Sequence, residues 1–216
     1  EPLAPLPHGK RLDHIVAVGY GGLESYGFHS LETGQRIAEC RAGGETGVES
    51  VQVLSGKAVW DAQEAGRWPK EIAEAALGAL KKPNGKPQDY TKEVYAFDIT
   101  YRDGQRMTVL MPNGYSQEFA FAYRVTGQKE IVSASYFLDP VPRLTHFSAT
   151  VRALEEMYLT GKPTARSERT YLTTGILAYG MDSHFQGDVK LETPDLNIAY
   201  RPMPTPAHWK EVMRWT

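Results

Sequence analysis

Residues 21–32 read Gly-Gly-Leu-Glu-Ser-Tyr-Gly-Phe-His-Ser-Leu-Glu, a glycine-rich stretch that brings an imidazole, a phenol and two carboxylates close together in the chain. Imidazoles exchange protons near neutral pH, which makes His29 an acid/base candidate, with Glu24 or Tyr26 to orient it. The plainer role for a lone histidine is a hydrogen bond to a loop carbonyl. His29 and Glu32 stand three apart, a helical spacing that can share a metal ion. No second pair completes a ligand set, and no metal is expected.

Other stretches carry weaker signals. Gly19-Tyr20-Gly21-Gly22 follows a strand-like run, but a dinucleotide loop needs a third glycine where Glu24 stands, so a plain loop is expected. Gly43-Gly44-Glu45-Thr46-Gly47 can expose amides to an anion and reads more simply as a helix-to-strand connection. His184 closes a helix, where a cation suits the carbonyl end, and His146 starts one. The aromatic alternation of Tyr95, Phe97, Tyr101, Phe119, Phe121 and Tyr123 fits a core or an interface, since half-buried sheet faces are normally aromatic and β-branched.

The elements that position these residues follow from periodicity. His14-Ile15-Val16-Ala17-Val18 reads as a strand running into the glycine loop. A helix is expected from Phe28 to Cys40, placing His29 at its start, and a strand over 51–54. Pro69 suits the first turn of a helix bearing Ile72, Ala73, Ala76, Leu77 and Leu80 on one face. Tyr95–Tyr101 and Met107–Met111 alternate around the Asp103-Gly104 turn, and Phe119–Tyr123 and Val132–Leu138 complete a four-strand meander. Phe147, Val151, Leu154 and Tyr158 return to helical spacing, as do Leu172, Ile176 and Tyr179 after a Ser167 cap, and both helices are expected to cover the meander. The fold class is therefore α+β, an open, mainly antiparallel mixed sheet of about six strands with helices packed on one face.

The chain has 216 residues, enough for one substantial core. With 24 Lys plus Arg against 26 Asp plus Glu, it lacks the concentrated positive face that nucleic acid requires. The apolar runs are too short for a membrane span. Cys40 is the only cysteine, which points to a reducing, cytoplasmic setting. Residues 1–13, opening on Glu1 with three prolines in the first seven positions, read as a linker from an upstream region. One domain is expected over 14–201, with 202–216 as a surface tail ending in Trp209 and Trp215.

Two segments resemble the C-terminal domain of the glucose-fructose oxidoreductase and inositol dehydrogenase (Gfo/Idh/MocA) family. One is Tyr26-Gly27-Phe28-His29-Ser30-Leu31-Glu32 followed by Gly47-Val48-Glu49-Ser50-Val51-Gln52; it is similar to that family's histidine-bearing helix and the strand after it. The other comprises Phe147 to Pro163, Glu168 to Leu177 and Leu191-Glu192-Thr193-Pro194, similar to its closing helices and last strand. The resemblance implies a domain that contacts a sugar or polyol substrate and forms homo-oligomers through its sheet face. It also implies that His29 handles the proton of a substrate hydroxyl while hydride passes to nicotinamide. Members carry an aspartate four residues before this histidine; Ser25 stands there, and the nearest acid is Glu24. The family's Rossmann domain, with its glycine loop and Glu-Lys-Pro segment, has no counterpart in these residues. NAD(P) is thus expected for full-length enzymes, none is expected on this chain alone, and a Rossmann domain upstream or in trans is the implied partner.

Three functions follow as expectations: the substrate-binding and oligomerisation domain of an NAD(P)-dependent sugar or polyol oxidoreductase, a non-catalytic binding or assembly module of the same fold, or a cofactor-independent sugar lyase or isomerase using His29 and Glu24.

Overall fold

The computed structural model describes residues 6–136, 138 and 143–204. Seven strands, β1 (Leu12–Val18), β2 (Val48–Ser55), β3 (Val94–Tyr101), β4 (Arg106–Pro112), β5 (Ala120–Val125), β6 (Ile131–Ser135) and β7 (Leu191–Glu192), form one sheet in the order β6-β5-β1-β4-β3-β2-β7. Five helices accompany them: α1 (Leu23–Ala38), α2 (Lys57–Glu64), α3 (Lys70–Gly78), α4 (Ser148–Thr160) and α5 (Ser167–Phe185). The α+β class and the mainly antiparallel, mixed sheet are as expected, with β7 adding a short edge strand to the expected set.

The β3–β4 hairpin is in the register the alternation implies, with Phe97 opposite Val109 and Ile99 opposite Met107. The meander is not continuous. β1 inserts between β4 and β5, parallel to the first and antiparallel to the second. Ile15, Val16, Ala17 and Val18 are all buried, so this strand is apolar on both faces and belongs at the centre of a covered sheet.

Helices on one face alone is likewise corrected. One core layer joins Ile15, Ala17, Val53, Phe97, Val109 and Phe121 to Leu31 and Ile37 of α1 and Leu172 and Ile176 of α5. The alternate strand positions Val16, Val18, Ala96, Leu110 and Ala122 form a second layer with Trp60 of α2 and Ile72, Ala73 and Ala76 of α3. Apolar residues at both parities require cover on both faces. Of the aromatic alternation, expected to be core or interface, Phe97, Tyr101, Phe121 and Tyr123 are core and face α1 and α5.

Boundaries shift in several places. Leu12 and Asp13 belong to β1 and Leu6 packs on the core, so these residues of the expected linker are part of the fold. Helix α1 starts at Leu23 rather than Phe28, because burial of Leu23, Gly27, Ser30, Leu31 and Gly34 along one stripe outweighs the low helix propensity of its glycines. Its close approach to the sheet needs that composition: a Cβ on Gly34 would lie 2.5 Å from Met107 Sδ. The expected Ser167 cap is the first residue of α5 instead, its hydroxyl directed to Glu168. Helix α5 covers the sheet, whereas α4 buries none of its side chains. Trp209 and Trp215 lie outside the described residues.

Candidate functional site

The chain leaves β1 at Val18, turns through Gly19–Gly22 and enters α1, all at the end of the parallel β1–β4 pair. Gly19 lets the turn pass directly beneath the helix, since a Cβ there would lie 2.0 Å from Ser30 Oγ. The Gly21 N–H donates to Asn113 Oδ1 (3.1 Å), and Asn113 Nδ2 donates to Glu93 Oε2 (2.6 Å). The Pro112-Asn113-Gly114 stretch, readable in sequence only as a turn, thus anchors the loop.

His29 lies in the second turn of α1 rather than at its mouth, and its ring is exposed. Tyr26, one turn earlier, presents an edge to it at a centroid distance of 5.8 Å, and Phe119, which precedes β5, lies 6.5 Å away. Tyr20 closes the group, 4.7 Å from Tyr26 and 4.9 Å from Phe119. Burial, then the neighbouring Tyr26, pushes the Tyr20 phenol up. Glu24 is exposed in the first turn of α1. Among the described residues, no hydrogen bond joins Glu24 or Tyr26 to the His29 ring, and Tyr26 meets it through ring contact. Tyr20 and Phe119 were missed in the sequence because strand packing accounts for them equally well.

Glu32 does not join His29. It pairs with Arg169 (2.7 Å) and accepts from Thr173 Oγ1 (2.7 Å), tying α1 to α5. Among the described residues no group of three or more His, Cys, Asp or Glu side chains comes together as a metal site. His184 Nδ1 lies 2.7 Å from Asp188 Oδ1, a local contact at the end of α5.

The glycine connection around Glu45 is a buried polar hub. Glu45 accepts the Thr46 and Gly47 N–H groups (both 2.8 Å) and Gln35 Nε2 (2.6 Å). The Arg41 guanidinium lies 3.5 Å from it, stacks 4.5 Å over Tyr101 and pairs with Asp103. Burial holds the Glu45 carboxyl up despite Arg41. With its acceptor atoms filled from within, this hub holds α1 against β2 and β3 rather than binding a ligand.

A second histidine went unremarked in the sequence. His14 of β1 is buried on the α3 side of the sheet, its Nε2 2.9 Å from Thr108 Oγ1. Burial first, then Arg106, lowers it from 6.5 to about 4, with Asp98 opposing. The available signal was a histidine in a strand apolar on both faces.

Among solved structures, the fold is similar to that of GenD2 from gentamicin A biosynthesis in complex with NAD, at 12% identity and a TM-score of 0.54, covering 85% of this chain and 56% of that one. Also similar are myo-inositol dehydrogenase from Lactobacillus casei in complex with NAD(H) and myo-inositol (11%, TM-score 0.47, 94% and 57%) and the WlbA dehydrogenase from Bordetella pertussis in complex with NADH and UDP-GlcNAcA (12%, 0.42, 87% and 58%). The chain thus spans a little over half the length of the structures it matches. No family model and no curated protein matches it. Among the described residues, no helix is long and apolar enough to cross a membrane.

Proposed function

We propose that this chain is the substrate-side domain of an NAD(P)-dependent sugar or polyol oxidoreductase of the Gfo/Idh/MocA type, working in the cytoplasm with a Rossmann domain supplied upstream or in trans. One observation carries the reading: an exposed imidazole, His29, stands among Tyr20, Tyr26 and Phe119 beside the parallel strand pair. Aromatic faces suit the C–H faces of a sugar ring, and an imidazole beside them suits a substrate hydroxyl. His29 takes the hydroxyl proton, Tyr26 holds its ring, and Glu24 stands exposed in the first turn of the same helix. The nicotinamide, when bound by the partner domain, accepts the hydride.

The test is turnover of myo-inositol and glucose with NAD or NADP by this chain together with its nucleotide-binding domain. His29→Ala is expected to lower kcat by about a hundredfold or more, and Tyr26→Phe much less. The His29 ring is exposed, so folding should be unchanged. Unchanged turnover in His29→Ala refutes the assignment, and nicotinamide binding by this chain alone refutes the division of labour.

A second reading, a non-catalytic assembly module, is favoured by α4, where Val151, Leu154, Tyr158 and Leu159 are all exposed. A monodisperse monomer in sedimentation would remove it.

A further inference from the structure

A cleft of about 570 Å³ opens on the α3 side of the sheet, between the 63–71 segment and the strand residues Asp13, His14 and Arg106. Its volume falls within the range of small-molecule sites. It lies on the face opposite α1 and toward the start of β1, away from His29, and stands independently of the proposed activity.

Beneath it, polar side chains interrupt an otherwise apolar layer. Gln52 pairs across to Asp98 and Asp98 to Thr108, and His14 bonds Thr108, so one polar row crosses β2, β3, β4 and β1. Asp98 is 7% exposed and serves two cations: Arg67 Nε at 2.6 Å, and Arg106 Nη2 at 2.8 and 2.9 Å to its two oxygens. Arg67 Nη2 also donates to Gln52 Oε1. Two guanidiniums on one carboxylate leave a net positive charge at the floor. Among the described residues, Arg67 Nη1 and both Nε and Nη1 of Arg106 meet no hydrogen-bond acceptor.

The carboxylates of the walls already have partners. Arg124 pairs with Asp13 (2.7 Å), lowering its carboxyl, and with Glu71 (3.0 Å), whose carboxyl is lowered first by its own backbone N–H and then by Arg124; Lys70 pairs with Glu64 (2.7 Å). One guanidinium shared by two carboxylates leaves that wall a negative charge that offsets the floor's surplus, so the free N–H donors of Arg67 and Arg106, rather than net charge, are what the cleft offers a ligand. His14 remains uncharged through neutral pH, so it adds no charge of its own there.

We propose that this cleft binds a small oxyanion-bearing molecule, a carboxylate or a phosphate, held by the guanidiniums of Arg67 and Arg106 that Asp98 fixes in place. Guanidiniums present parallel N–H donors that match either group. Asp98 spares the ligand the entropic cost of ordering the two arginines.

The experiment is calorimetric titration of the chain with inorganic phosphate and with malonate, each against sodium chloride at matched ionic strength. Saturable binding of either is expected, and which one binds names the chemistry. Arg106→Gln should weaken it by about tenfold or more. Arg106→Lys retains a cation for Asp98, so its melting temperature should stay near that of the parent while binding falls similarly. Heats indistinguishable from chloride up to about 20 mM would overturn the proposal, as would Arg106→Lys binding as well as the parent.

Discussion

His14 makes the stability of this protein depend on pH in a calculable way. In the folded chain the imidazole titrates at about 4 rather than 6.5, chiefly because burial disfavours its charged form. Between those values the unfolded chain binds a proton that the folded chain excludes. Stability is thus full above the unfolded value and declines as pH falls below 6.5. At about 1.4 kcal/mol per pH unit, the difference approaches about 3 kcal/mol by pH 4, with about 2 kcal/mol already lost at about pH 5. The assay is urea unfolding at several pH values from about 7 down to about 5, for the parent and for His14→Gln, which retains a polar partner for Thr108. Titrating carboxylates elsewhere affect both proteins equally. The stability gap between them should shift by about 2 kcal/mol in favour of the variant over that range. A gap constant to within about 0.5 kcal/mol would show that the buried imidazole is not what couples folding to pH.

Gly180→Ala places a methyl 2.3 Å from Phe97 Cε1, in the layer between α5 and the sheet, and should cost about 1–3 kcal/mol in chemical denaturation. Arg41→Met leaves Glu45 buried without its cation and should cost about 3–5 kcal/mol, much of it recovered in the double variant with Glu45→Gln. Asn113→Ala releases the Gly21 N–H and should cost about 1 kcal/mol while speeding amide exchange in the Gly19–Gly22 turn, measured by hydrogen–deuterium exchange.

Local pattern sufficed where the contacts lie close in sequence. The β3–β4 hairpin register and the α3 stripe are written in residues two or three and four apart, and the helix of α5 in Leu172 and Ile176. What pattern could not give was the insertion of β1 between β4 and β5, because pairing of Ile15 with Met107 and Tyr123 reaches up to half the chain away. The signal was present in a strand with no polar parity from Ile15 to Val18, the mark of a strand covered on both sides. The start of α1 was hidden by Gly27, which propensity places in a loop and close packing beneath Leu177 places in a helix. For the candidate site, His29 was legible as a residue type at a crowded junction. The neighbours that give it meaning, Tyr20 and Phe119, converge only once β1 and β5 lie side by side. The Arg67–Asp98–Arg106 group was illegible for the same reason, since its members come from a loop and two strands.

The central position of β1 also bears on how the molecule is made. This strand is made before both of its sheet neighbours, β4 and β5, and its buried run Ile15–Val18 must stay clear of other chains until they follow. Closing so long a loop before its contacts can form slows the search for the native state. Refolding should therefore be slow and concentration-sensitive, with β1 the last strand to gain protection.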